Sequence, residues 1–287
     1  NSFKQVQDGY SIVLFGYGAS GSGKTFSLLG SNNDNGDVNK IPGILHYGLA
    51  NLQNVKNIEL VNVFEHYFER FSPTGPTVTG KIINLIGKLP SEFDNYQKRT
   101  DERNLFNNVL SSDSLINVKL NNVRVEDIFT LTYQIDKYRK SKKRIKETPN
   151  NINSSRSHLY LVFKINFNDG TFGHITIVDT AGRESVMEIG NMFLKLPNDT
   201  VLAKNKVSTA LGLSGGVNYI EKIKRLDIKK TNGEIYSSRD ILDILNEGLF
   251  INESINHLVY FFNKKNYKNT KIEMLKDFGN YTIDKYF

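Results

Sequence analysis

Gly18-Ala19-Ser20-Gly21-Ser22-Gly23-Lys24-Thr25 is the stretch whose reading decides the fold. It is a complete G-x-x-x-x-G-K-[ST] pattern, and it directly follows Ser11-Ile12-Val13-Leu14-Phe15, an apolar run that reads as a buried strand. Gly18, Gly21 and Gly23 allow positive φ, so successive backbone N–H groups converge on one concavity. Phe26-Ser27-Leu28-Leu29 continues as a helix, whose N-terminus adds its positive dipole end to that anion site. In such a loop Lys24 reaches the β- and γ-phosphates and the Thr25 hydroxyl ligates Mg²⁺. A nucleoside triphosphate is therefore the expected ligand.

The same letters hold a competing pattern. Gly16-Tyr17-Gly18-Ala19-Ser20-Gly21 matches G-x-G-x-x-G, the dinucleotide fingerprint. That reading leaves Lys24-Thr25 unexplained, and no clear acidic residue closes a second strand about 20 residues on, where a ribose needs one. A glycine-rich turn without a ligand explains neither the strand before nor the Lys-Thr after.

Working outward, residues 44–52 read as a helix and residues 58–64 alternate as a half-buried strand. Short strands are expected at residues 81–86 and 116–120, and a helix with a basic face at 133–147. Residues 158–167 and 174–178 read as two strands joined by Asn168-Asp169-Gly170, because Asp-Gly supplies the positive φ angles of a tight hairpin turn. The second of these strands ends in Asp179-Thr180-Ala181-Gly182. An apolar strand ending in Asp, with Gly shortly after, is the form of an element that holds Mg²⁺ and senses a γ-phosphate. Helices are expected at 241–249, 251–262 and 267–278.

Composition sets the outer bounds. The chain has 287 residues, 39% hydrophobic and 23% charged, an ordinary balance for a globular protein with a sizeable core. No stretch approaches the ~20 apolar residues of a membrane helix. Cysteine is absent, which removes disulfides and thiolate metal sites and fits a reducing compartment. The five histidines show no zinc spacing. The net charge of +7 is uneven, concentrated in residues 137–146 and in Lys264, Lys265, Lys268, Lys271 and Lys276. Such runs attract polyanions, nucleic acid among them, or form a solvated helix face.

Five segments, in order, together resemble a kinesin motor domain. The residues from Gly16 to Thr25 are similar to the family's phosphate loop. Asn151-Ile152-Asn153-Ser154-Ser155-Arg156-Ser157-His158 looks like switch I, whose hallmark is Asn-x-x-Ser-Ser-Arg-Ser-His. Val178-Asp179-Thr180-Ala181-Gly182-Arg183-Glu184 resembles switch II, with Thr180 and Arg183 in place of the commoner Leu and Ser. Ile251-Asn252-Glu253-Ser254 is similar to the start of the relay helix, with Glu253 where the family typically has Lys. Tyr267-Lys268-Asn269-Thr270-Lys271 resembles the tract opening the next helix at the track-binding face.

The resemblance implies a three-layer α/β P-loop NTPase sandwich around a mostly parallel central sheet, hydrolysing Mg-ATP. It implies one motor domain over residues 1–287, incomplete at both ends, with a long insertion at about 185–250. Gly18 to Thr25 would hold the phosphates. Thr25 and Ser155 would coordinate Mg²⁺, with Asp179 behind them. Ser154 and the Gly182 N–H would contact the γ-phosphate and the attacking water. Arg156 and Glu184 would latch the two switches. The expected partner is the microtubule, the expected setting cytoplasmic and cytoskeletal, and no membrane role is implied. A kinesin-derived module that has lost motility and binds another partner through its basic surfaces is the alternative.

Overall fold

The computed structural model describes residues 2–32, 40–70, 78–86, 110–112, 121–194 and 226–263. The expectations at residues 116–120, at 267–278 and at the C-terminal lysines lie outside these. In chain order the elements are α1 (Ser2–Gln7), β1 (Ser11–Gly16), α2 (Lys24–Leu29), β2 (Ser31–Asn32), β3 (Lys40–Ile41), α3 (Ile44–Ala50), β4 (Val55–Arg70), β5 (Val78–Asn84) and β6 (Leu110–Ser112). They continue with α4 (Asp127–Ser141), β7 (Ile145–Thr148), β8 (Asn151–Ser155), β9 (Ser157–Phe167), β10 (Phe172–Asp179), α5 (Val186–Phe193) and α6 (Ser238–Asn263).

A six-stranded sheet in the order β1-β10-β9-β4-β5-β6 forms the middle layer. The expected mostly parallel sheet is corrected here. Only β1 with β10 and β5 with β6 run parallel, whereas β10 with β9, β9 with β4 and β4 with β5 run antiparallel. For β9 with β10 the physical reason is connection length. The turn at Asp169-Gly170 returns the chain at once, and a tight hairpin can only make antiparallel neighbours.

Both faces of the sheet are covered. Along β9 the side chains of Leu159, Leu161, Phe163, Ile165 and Phe167 alternate onto one face, the period of a strand. There they pack with Phe3 and Val6 of α1, Leu28 and Leu29 of α2, Leu45 and Leu49 of α3, and Ile128, Leu131 and Ile135 of α4. On the other side, Phe250, Ile251 and Ile255 of α6 pack with Ala181 and Phe68. The start of α6 forms a separate small core with α5, through Ile189, Phe193, Ile241, Leu242 and Leu245. The result is a three-layer α/β sandwich.

Two helical expectations change at their boundaries. The helix expected at 133–147 is α4, which begins earlier and stops at Ser141, so that residues 145–148 form β7 instead. The two helices expected at 241–249 and 251–262 are one helix, α6. Gly248 costs it about 1 kcal/mol of propensity, while burying Leu245, Phe250 and Ile251 returns about 1.5–3 kcal/mol each, so packing carries the helix through.

The basic run at 137–146 divides between surface and interior. Lys137, Lys140, Lys142 and Lys143 are exposed. Arg139 is buried, and its Nε lies 3.1 Å from Oε1 of the fully buried Glu65. Arg144 pairs with the other Glu65 oxygen and stacks its guanidinium 3.7 Å over the Tyr67 ring. Ser157 Oγ donates to Glu65 Oε1 at 2.6 Å. This buried node fixes β4, α4 and β9 together at the foot of the β7–β8 hairpin.

Candidate functional site

The glycine-rich sequence that starts at Gly18 forms the loop between β1 and α2 and runs into the first turn of α2. Gly21 and Gly23 have φ of 77° and 81°, left-handed values that explain glycine at both positions. Lys24 Nζ donates to Gly18 O at 3.2 Å and Ala19 O at 2.7 Å, lying back across its own loop. Burial lowers its pKa, and Asp179 and Glu184 pull the other way. An ammonium held by two carbonyls in a desolvated place is readily recruited by a stronger anionic partner.

Thr25 Oγ1 donates to Asp179 Oδ2 at 2.7 Å, joining the first turn of α2 to the end of β10. The parallel register of β1 with β10 makes this contact, because Gly16 stands opposite Asp179. Asp179 Oδ1 is buried and has no hydrogen-bond partner among the described residues. Burial raises the Asp179 pKa, against the lowering influence of Arg139, Thr25 and Lys24. An open carboxylate oxygen beside a threonine hydroxyl suits a hydrated divalent cation, a hard oxygen-seeking ion. Ser155 stands apart from this pair: it ends β8 half-buried, and its hydroxyl has no hydrogen bond among the described residues.

The β7–β8 hairpin brings switch I onto the loop. Asn151 Nδ2 donates to Ser20 Oγ at 3.1 Å, and the Ser20 and Ser154 hydroxyls lie 3.3 Å apart. Switch II meets the loop from below. Arg183 N donates to Gly18 O at 3.1 Å, and Gly182 lies against the backbone of Ser20. Arg156 and Glu184 join the two switches, with Arg156 Nη1 2.6 Å from Glu184 Oε1 and both side chains buried. Ser154 Oγ donates to the same Glu184 oxygen at 3.3 Å, and Glu184 Oε2 remains buried and open. Asn252 of α6 clamps the Glu184 backbone, accepting from its N–H at 3.1 Å and donating to its carbonyl. A cavity of about 500 Å³ opens beside this contact, lined by Tyr17, Gly18, Ala19, Arg183, Glu184, Ser185 and Asn252.

His158 links three elements. The Ala181 N–H donates to Nδ1 at 3.1 Å, so Nε2 carries the proton and donates to Ser254 Oγ at 2.7 Å. Burial, with Arg139 and Lys24 nearby, pushes the His158 pKa down to about 3. The folded value lies below the ordinary histidine value, so between the two the unfolded chain binds the extra proton. This contribution to stability is complete above the unfolded pKa and is lost as pH falls toward the folded one. His158→Gln is expected to flatten the acid limb of the stability curve by up to about 1.4 kcal/mol per pH unit, read from denaturant melts across that window. An acid limb as steep as the parent's would overturn the assignment.

Glu247, Asn252 and Ser254 were not among the expected site residues. Asn252 and Ser254 lie inside a quoted segment, but Glu247 carries no local signal. Among the described residues there is no cluster of three or more His, Asp or Glu side chains that could hold a metal, and no helix long and apolar enough to cross a membrane.

A covered sheet, a glycine-rich loop after its first strand and an acidic strand end beside that loop define a P-loop NTPase-type fold. A family model described as the kinesin motor domain matches residues 2–198, and the chain belongs to that family. It is 29% identical over 221 residues to Kinesin-related protein 3 of Dictyostelium discoideum, covering 73% of this chain and 16% of that protein. It is 26% identical over 215 residues to Kinesin-like protein KIN-14M of Arabidopsis thaliana, covering 71% of this chain and 27% of the relative. The chain thus spans well under two thirds of either relative. Among solved structures, KIF14 with ADP in complex with a microtubule aligns at 19% identity and a TM-score of 0.35, over 78% of this chain and 60% of the other. The Drosophila kinesin family member Kin10/NOD with manganese and ADP aligns at 16% identity and a TM-score of 0.34, over 86% and 76%.

Proposed function

We propose that this chain is a Mg²⁺-dependent ATPase of the kinesin type, whose turnover is coupled to microtubule binding and movement. The observation that carries the reading is the buried Arg156–Glu184 bridge, closed beside a phosphate loop that Ser20 ties to switch I. Residues from Gly18 to Thr25 bind the phosphates. Thr25 and Ser155 would hold the cation with Asp179 behind them, and the cation would neutralise phosphate charge.

The chain's own groups do the rest. Lys24 exchanges its loop carbonyls for phosphate oxygens. Ser154 and the Gly182 N–H position the attacking water and the terminal phosphate. Glu184 Oε2 supplies a buried acceptor for a proton of that water. Arg156 holds Glu184 in place through their buried contact. Phosphoryl transfer needs little more than such positioning and charge stabilisation. Residues 1–287 act as one motor domain with residues 185–250 as an insertion, in a cytoplasmic, cytoskeletal setting. Membership of the kinesin motor family supports the choice of track.

The test is ATP hydrolysis by the purified chain with and without polymerised tubulin, alongside co-sedimentation. Stimulated hydrolysis with nucleotide-dependent pelleting supports the reading. Hydrolysis indifferent to tubulin, with no pelleting, supports the non-motile alternative. No magnesium-dependent binding of any purine triphosphate overturns both.

A further inference from the structure

Arg156 Nη1 is the nitrogen that meets Glu184 and Ser154, at 2.6 and 3.3 Å. Two contacts from α6 decide where that nitrogen points. Arg156 Nε donates to Glu247 Oε2 at 2.9 Å, and Nη2 donates to the Ile244 carbonyl at 3.1 Å. A guanidinium is planar and rigid, so fixing Nε and Nη2 fixes Nη1. The other oxygen of Glu247 accepts from Lys146 Nζ at 2.6 Å. Lys146 lies on β7 opposite Ser154 of β8. One carboxylate on α6 therefore grips the switch I hairpin at Lys146 and just past its end at Arg156. The four side chains carry two positive and two negative charges, which makes burial of the group tolerable. Burial acts to lower the Arg156 pKa, and Glu184 and Glu247 more than offset it.

We propose that Glu247 is a positioning residue for ATP turnover, holding the Nε edge of Arg156 so that Nη1 is presented to Glu184. It touches no nucleotide and acts through Arg156. The proposal rests on the hydrolytic reading above. It also makes the place of α6 felt at the latch through a side chain, not only through the backbone of switch II.

A second tether gives the control. The turn at residues 231–233 holds the same hairpin from its exposed side, with Thr231 N and Oγ1 donating to the Glu147 carboxylate at 2.7 and 2.6 Å. Thr231→Ala loosens the hairpin without touching Arg156. Glu247→Ala is expected to lower kcat about tenfold or more with KM for ATP within about twofold, because misaiming costs turnover rather than nucleotide binding. Glu247→Gln keeps an acceptor for Nε and recovers part of the loss, while Thr231→Ala stays near the parent. Equal losses in Thr231→Ala and Glu247→Ala, or an unchanged kcat in Glu247→Ala, would overturn the proposal. Hydrogen exchange of the β7–β8 amides is read on the same proteins. If the parent hydrolyses no nucleotide, the hydrolytic reading fails, and exchange still decides whether Glu247 holds the hairpin. Faster exchange in Glu247→Ala sustains that hold, and parent-like exchange removes it.

Discussion

Arg156→Ala and Glu184→Ala are each expected to abolish ATP turnover, by about 10²-fold or more, while nucleotide binding persists. The binding contacts proposed above lie elsewhere, in the loop from Gly18 to Thr25, and neither substitution touches that loop. What is lost is the closed join between β8 and the end of switch II, 2.6 Å across and buried on both sides. The two variants differ in their cost to the fold. Removing Glu184 leaves Arg156 still paired with Glu247. Removing Arg156 leaves Glu184 buried with no cation in contact among the described residues, the case for which losses of about 3–5 kcal/mol are typical. Glu184→Gln separates chemistry from stability, since it keeps the volume and a hydrogen-bonding oxygen but not the charge. It is expected to melt close to the parent and still fail to turn over. Stopped-flow binding of a fluorescent nucleotide, steady-state hydrolysis and denaturant melts on the three variants check this. Near-parent hydrolysis in any of them would remove the latch from the mechanism.

The parts of the site that could be read in the sequence are those whose chemistry is local. Gly21 and Gly23 announce left-handed backbone, Asp169-Gly170 announces a hairpin, and an apolar strand ending at Asp179 announces an acid at a strand end, which lies beside Thr25. Each depends on neighbours within a few positions. Strand direction does not. Alternation in residues 58–64 shows which face is buried, but not that β4 runs antiparallel to both β5 and β9, whose partner residues lie further along the chain. Arg139 illustrates the same limit for charge. In the sequence it belongs to a cationic run, and Glu65, 74 residues distant and wholly buried, turns it inward together with the hydroxyl and carbonyl of Ser157. Glu247 sits mid-helix with no pattern around it. Its partners Lys146 and Arg156 are 101 and 91 residues away, and tertiary packing alone brings them together.

Gly182→Ala is expected to lower turnover about 10²-fold or more, for a reason independent of charge. Its φ is not in the left-handed region, so glycine is required there by space. A Cβ on residue 182 would lie within 3.0 Å of the Ser20 backbone and side chain. Backbone cannot swing aside as the end of a long side chain can, so switch II must retreat from the phosphate loop. Retreat breaks the Arg183 N to Gly18 O bond and carries Glu184 away from Arg156. It also withdraws the Gly182 N–H from the place proposed for the terminal phosphate. Binding of a nucleoside diphosphate, which needs only the loop and Lys24, is expected to stay within about threefold of the parent. Gly23→Ala makes the opposite comparison. A Cβ there meets nothing within 4 Å, but φ of 81° strains any other residue, so the loop itself deforms and diphosphate binding weakens. Titration calorimetry with the diphosphate and steady-state hydrolysis separate the two. Hydrolysis at the parent rate in Gly182→Ala would show that switch II does not need to touch the loop during turnover, and the positioning role of the Gly182 N–H would fall with it.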